Sequence, residues 1–288
     1  MKGETLFDEP LALHTSLKVG GPADIFTFPA DLDDLRALLQ LVAQTETAYL
    51  VIGGGYNLLV RDGGFRGVVI SLRNLHRLEE LPGKQVSAEA GVTNGALVRF
   101  AEEKRLTGME FLIGIPGTIG GALGVNAGAH GEAVLDRLET LTTLRGNEMR
   151  TRGREELDYG YRCLALAPGE VIVGGTFRLA AGSAAEIEGR IEGFLAHRRN
   201  AQRVRHPNAG SFFKNPAGMQ AWRLIDAAGL RGYRIGGAQV SEVHTNFLVN
   251  RGGATAKDFL ELAALVKERV KEQSGIELEE EVRIVGED

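Results

Sequence analysis

The sequence predicts an α/β protein built from several closely packed regions. Three observations carry this: strand-like and helix-like segments alternate along the 288 residues, no repeat or low-complexity linker separates them, and glycine gathers in a few places. The first strand is "ADIFTFP" (23–29), which alternates in polarity. A helix follows over 31–44, with Asp31 as its N-cap and Leu35, Leu38, Leu39 and Val42 on one face. Segment 48–60 reads as a strand, a glycine turn and a second apolar run, and 67–72 as another strand. Further on, a strand is expected over 84–90 and a helix over 94–106. Short strands are expected at 138–144, 148–151 and 171–179, with 155–170 an irregular connection. Helices are expected from 184 to about 203, over 218–230 and over 255–275, the last with Phe259, Leu262, Ala263, Val266 and Val270 on one face. Segments 238–243 and 246–250 read as strands, and 277–286 as a terminal strand.

Composition narrows the function. Hydrophobic residues make up 43% and charged residues 25%, enough to bury a core and stay in solution. A net charge of −5 gives no reason to expect nucleic acid or an anionic membrane as partner. The first residues do not form a secretory leader and no run of about 20 apolar residues occurs, so a cytoplasmic location without membrane insertion is expected. One cysteine, Cys163, rules out an intrachain disulfide, and the six histidines show no ligand spacing, so no metal is expected.

Glycine is the anomaly. There are 39, about twice the usual share, clustered at 53–55, 63–67, 114–131 and 236–237. "VIGGGYN" (51–57) follows a strand, yet it fits a dinucleotide-binding turn poorly: Leu58 occupies the third glycine position, Asp62 comes too early for the ribose acid, and no helix pattern follows. It is either a tight strand-to-strand turn or a nest of backbone N–H groups for a phosphate. "IPGTIGGALGVNAG" (115–128) offers a second set of bare amides, with a hydroxyl at Thr118 and an amide at Asn126; a Gly/Ala-rich packing contact is the alternative.

The combination is more specific. "VIGGGYNLLVRDGGFRGVVI" (51–70) followed by "IPGTIGGALGVNAGAHG" (115–131) closely resembles the two FAD-contacting segments of the UDP-N-acetylenolpyruvoylglucosamine reductase family. So do "HTSLKVGGPAD" (14–24), "YGYRC" (159–163), "NAGSFFKNP" (208–216), "IGGAQVSEVHTNFLVN" (235–250) and "LEEEVRIVG" (278–286), in the family's order. The resemblance implies an α+β fold: a flavin domain of the vanillyl-alcohol-oxidase (PCMH) type in two α/β lobes, 1–75 and 76–196, the first completed by 276–288, plus a C-terminal α+β substrate domain over 197–275. The short 162–211 interval resembles the subtype without a substrate-capping tyrosine loop. Cys163 departs from the serine common in relatives.

The resemblance also implies the reaction. NADPH reduces non-covalently bound FAD, and reduced FAD delivers hydride from N5 to C3 of the enolpyruvyl ether of UDP-N-acetylglucosamine, while a proton is added at C2. Ser211 matches the proton donor, Arg162 the active-site arginine and Glu281 the third catalytic residue. Taken alone, each also reads as a turn serine, a surface arginine and one of three acids, Glu279–Glu281, along a solvated strand. Cofactor contacts are expected from Gly53, Gly54, Gly55, Tyr56, Asn57, Leu58, Gly117, Thr118, Gly121 and Asn126. Substrate contacts are expected from Lys214, Asn215, His244, Asn246, Arg199 and Gln202. A monomer acting on small molecules is expected. The competing readings are an alcohol or sugar oxidase on the same fold, and a nucleotide-binding protein without catalysis.

Overall fold

The structure, a computed structural model, describes residues 1–201 and 204–288. The chain divides into two compact units. The first comprises Met1–Leu6, Ile25–Gly54 and Gly67–Arg198; the second comprises Phe7–Asp24, Gly55–Arg66 and Arg199–Asp288.

In the first unit, helix α1 (Leu32–Gln44) starts where the Asp31 carboxylate accepts the Asp34 N–H at 2.8 Å. Leu35, Leu38, Leu39 and Val42 are buried against Val68, Ile70, Leu144 and Val173. Strand Tyr49–Ile52 runs parallel to Phe65–Ser71, aligning Tyr49 with Val68. Helix α2 (Asn94–Glu103) is capped by Thr93, whose hydroxyl accepts the Ala96 N–H at 3.1 Å. A five-stranded antiparallel sheet has the order Glu148–Gly153, Leu138–Arg145, Glu170–Arg178, Gln85–Glu89, Leu78–Leu81. Its apolar face holds Val86, Leu141 and Phe177 with Leu97, Phe111 and Leu123, and with Ile187 and Ile191 of helix α4 (Ala184–Ala201). The glycine stretch that reads as a loop also contains a 3₁₀ turn (Glu110–Gly114) and a short helix, α3 (Ile119–Gly124), which buries Ile119, Ala122 and Leu123.

The second unit packs helices α5 (Ala221–Ala227) and α6 (Ala256–Ser274) with a three-stranded antiparallel sheet, Arg234–Ile235, Ala238–Val240 and Leu248–Asn250. The α6 stripe expected from sequence, Phe259, Leu262, Ala263, Val266 and Val270, is buried. Thr255 and Asp258 form a capping box at its start, and Gly275 closes it at φ +71°. A second acid serves the same helix: the Asp62 carboxylate accepts the N–H groups of Ala256 and Lys257 at 2.8 and 2.9 Å. The terminal strand is shorter than expected, Arg283–Val285, and pairs in parallel with Leu58–Val60.

Two readings shift. The helix expected over 218–230 starts only at Ala221, because Gly218 sits at φ +71° and the Met219 N–H turns back to the Pro216 carbonyl at 3.0 Å. Strand Glu4–Pro10 carries no alternation that marks it, and its ladder reveals it only in three dimensions. Among the described residues no helix is long and apolar enough to cross a membrane.

The chain start is held by one carboxylate. Asp34, buried, accepts N–H groups from Lys2, Gly3 and Ala30 at 3.0, 2.8 and 3.0 Å. Burial alone would push this carboxyl up, but the three donors outweigh it and hold it below the usual carboxylate range. Asp34→Ala should cost about 2 kcal/mol in urea unfolding. A depressed carboxyl contributes stability above its unfolded value of about 4 and loses it as pH falls through the folded value. The stability gap between the parent and Asp34→Asn should therefore narrow from about pH 6 towards pH 2.

Candidate active site

In the first unit the two glycine segments meet. A β-carbon on Gly53 would lie 2.6 Å from the Thr118 hydroxyl and 3.6 Å from the Gly121 α-carbon. The second segment is laid against the start of α2: the Asn94 N–H donates to the Gly117 carbonyl at 3.0 Å, Ile119 to Val92 at 2.8 Å and Gly120 to Ala90 at 2.9 Å. Gly117 turns at φ +126°. Adjacent glycines here are bare for different reasons. A β-carbon on Gly120 would press on that of Ala90 at 2.8 Å, so protein packing requires glycine. A β-carbon on Gly121 would meet only the Thr118 hydroxyl, at 3.7 Å. Packing leaves Gly121 room, and its bareness opens main chain to whatever docks there.

Asn126 and Arg162 also come together in this unit. The Arg162 guanidinium donates to the carbonyls of Gly128 and Asn126 at 2.7 and 3.4 Å and lies 5.2 Å from the Tyr161 ring centre. It sits on the turn of a small hairpin pairing Tyr159 with Leu164 and Gly160 with Cys163. The sole cysteine is exposed on this hairpin.

In the second unit, the run after the glycine turn continues as strand Leu58–Val60 rather than a helix, so the strand-to-strand reading of 51–60 describes its shape. Gly55, at φ +67°, faces the His14 carbonyl so closely that any β-carbon would overlap it, and its own carbonyl accepts the Ser16 N–H at 2.9 Å. Tyr56 is exposed; the Leu58 side chain is in the core. Asn57 donates from its side chain to the Glu281 carbonyl at 3.0 Å and accepts the Arg283 N–H on its own carbonyl at 3.1 Å.

That bond belongs to a short ladder. Phe213 pairs antiparallel with Glu280, the Glu281 N–H donates to the Phe212 carbonyl at 2.8 Å, and the Lys214 N–H to the Glu279 carbonyl at 2.8 Å. The ladder separates the three acids. Glu279 is bound to Lys214 at 2.6 Å and Glu280 to Lys267 of α6 at 3.0 Å. Glu281 lies across from Phe212, the residue after Ser211, with Asn57 on its carbonyl. Ser211 itself is half-buried and follows Gly210 at φ +76°, whose N–H donates to the Asn208 side chain at 3.0 Å.

The expected substrate residues divide. The buried Asn246 amide accepts the Phe213 N–H at 3.0 Å and donates to its carbonyl at 2.8 Å, while its backbone carbonyl takes the Phe212 N–H at 2.7 Å. The Asn215 side chain accepts the Ala221 N–H at 3.0 Å at the start of α5. His244 lies among Trp222 and Phe247, ring centres 6.1 and 4.7 Å away, where burial holds its imidazole below the usual histidine range. Arg199 is exposed on the last turn of α4, and Gln202 lies outside the described residues. Sequence reasoning missed the part played by two acids and two glycines. Asp62 caps α6; Asp258 fills the space beside Gly236, and the Ala254 backbone closes on Gly237. No local signal links Asp62 to a helix so distant in the chain. Among the described residues no group of three or more His, Cys, Asp or Glu side chains is arranged for a metal.

Bare main chain at Gly121 beside the Thr118 hydroxyl suits a pyrophosphate or a flat ring, and residues 23–148 match the FAD binding domain. The fold and this surface define a flavoprotein. Residues 202–285 match the C-terminal domain of UDP-N-acetylenolpyruvoylglucosamine reductase. The reductases so named from Geotalea uraniireducens and Geobacter metallireducens are 65% and 64% identical over 288 residues, covering 100% of this chain and 96% of each relative. The crystal structure of the reductase from Thermus caldophilus superposes with a TM-score of 0.84 at 34% identity, covering 99% of both chains. The chain belongs to the UDP-N-acetylenolpyruvoylglucosamine reductase family, flavin-dependent oxidoreductases of peptidoglycan precursor synthesis that use FAD and NADPH.

The contrast between neighbouring glycines is testable. Gly121→Val should leave the apoprotein melting temperature within a few degrees of the parent but abolish flavin retention. Gly120→Val should lower the melting temperature itself, because its side chain collides with Ala90.

Proposed function

We propose that the chain reduces the enolpyruvyl ether of UDP-N-acetylglucosamine to UDP-N-acetylmuramate with Arg162, Ser211 and Glu281 as catalytic residues. The observation that supports this reading is the ladder, which sets Glu281 across from Phe212, the residue after Ser211. Bound FAD supplies the hydride, drawn from NADPH. Addition at the vinyl carbon C3 leaves an electron pair at C2, spread into the adjacent carboxylate. That charge calls for a fixed cation and a proton donor. Arg162 is permanently charged and planar, and two carbonyls orient it. It holds the substrate carboxylate. Ser211 delivers the proton to C2. A serine hydroxyl is a weak acid, and the Glu281 carboxylate polarises it or steadies the intermediate.

For the cofactor, Gly53, Gly54, Gly55, Tyr56, Asn57, Leu58, Gly117, Thr118 and Gly121 would contribute main-chain N–H groups and small surfaces, without a covalent link, since neither loop carries a histidine or cysteine within 53–57 or 114–126. Lys214, Asn215, His244, Arg199 and Gln202 would meet the nucleotide-sugar; Asn246, whose amide is bound to Phe213, supports them. Lobe 1–75, completed by 276–288, and lobe 76–196 would hold the flavin and 197–275 the substrate. We also assign the chain to the subtype without a tyrosine loop, supported by the short 162–211 interval, and regard the enzyme as a cytoplasmic monomer.

Ser211→Ala separates the two half-reactions. Stopped-flow absorbance should show flavin reduction by NADPH at close to the parent rate and reoxidation by the enolpyruvyl substrate slowed by about 10²–10⁴-fold. Equal slowing of both halves would make Ser211 structural; no slowing would assign the proton to another group.

A further inference from the structure

We propose that Asn126 positions Arg162 and is not a contact to the cofactor. The inference rests on the reading of Arg162 as the residue that holds the substrate carboxylate. Asn126 is a non-glycine residue at φ +44°, a conformation asparagine tolerates better than most. Its side chain is buried and both ends of the amide are engaged. Nδ2 donates to the Gly160 carbonyl at 2.9 Å, and Oδ1 accepts the Leu135 N–H at 3.3 Å. The backbone carbonyl of the same residue accepts from Arg162 Nη1 at 3.4 Å, and that of Gly128 from Nη2 at 2.7 Å.

The hairpin that carries Arg162 needs this support. It has two residue pairs, and two pairs alone do not hold a fixed shape in water. Tyr159, Tyr161 and Cys163 are exposed, and Arg162 itself takes a left-handed conformation at φ +55°. The base of the hairpin is closed by the Ala165 N–H to the Asp158 carbonyl at 2.9 Å, and its inner side is held by the buried Leu164 side chain and the bond from Asn126 to Gly160. One residue therefore grips the hairpin by its side chain and the guanidinium by its main chain. A displacement of about 1 Å at a charged substrate-holding group costs on the order of 10²-fold in rate.

The test uses the full-length holoenzyme. Asn126→Gly keeps the positive φ and deletes the amide; Asn126→Asp keeps an acceptor for Leu135 but has no donor for Gly160. In both, amide exchange across 158–165 followed by mass spectrometry should be at least about tenfold faster, flavin content should stay stoichiometric, and KM for the enolpyruvyl substrate should rise by about 10–100-fold. Starting from Arg162→Lys, adding Asn126→Gly should change KM by less than about threefold, since the guanidinium it serves is gone. Unchanged exchange across 158–165, restoration by Asn126→Asp, or loss of flavin with the hairpin still protected would each overturn the proposal. If Arg162→Lys itself leaves the substrate half-reaction intact, the role given to Arg162 fails, while the exchange data still decide whether Asn126 holds the hairpin.

Discussion

The second unit depends on a ladder of backbone bonds that two asparagine side chains complete. Phe212 and Phe213 are both buried, so their amides and carbonyls must be paired inside the protein. Asn246 pairs with Phe213 in both directions, as a neighbouring strand would, and the Glu279–Glu281 main chain takes the other edge. Asn57 then ties Glu281 to the strand that follows the glycine turn. An amide can act as donor and acceptor at once. An aspartate or leucine at position 246 would remove the donor to the buried Phe213 carbonyl, and one at position 57 would remove the bond to the Glu281 carbonyl. Ser211 and Glu281 are neighbours as a consequence of satisfying this backbone.

The first unit answers a different constraint, the exclusion of side chains. Gly53 is bare because Thr118 stands over it, Gly120 because Ala90 does, and Gly121 although nothing in the protein demands it. A cluster of glycines is thus a mixture of packing contacts and exposed main chain. Only the second kind bears on the cofactor. Asn126, inside the same cluster, is joined to the arginine hairpin by its amide and its carbonyl.

Much of this was legible in the sequence where a single element carried its own signal. The α1 stripe with Asp31 and the α6 stripe with Thr255 needed only periodicity and capping chemistry. Motif order reached further and named the family. What stayed hidden depends on partners remote in the chain. Asp62 looked like a misplaced ribose acid and proves to cap α6. Glu279 and Glu280 pair with Lys214 and Lys267, partners that nothing along the acidic run announces. The bonds of the Asn246 amide to Phe213 were equally hidden, because nothing local shows a side-chain amide standing in for a strand. The start of α5 was misjudged because apolar spacing outweighed Gly218, whose positive φ breaks the pattern.

The proposed reaction carries hydride from NADPH through flavin bound to this chain to the enolpyruvyl group. The most direct test is the visible spectrum of the purified full-length protein under anaerobic conditions. The account predicts a flavin band near about 450 nm that NADPH bleaches and that UDP-N-acetylglucosamine enolpyruvate then restores, with UDP-N-acetylmuramate formed in equal amount. A flavin that NADPH bleaches but only oxygen restores, or one that a simple alcohol bleaches in place of NADPH, would contradict it.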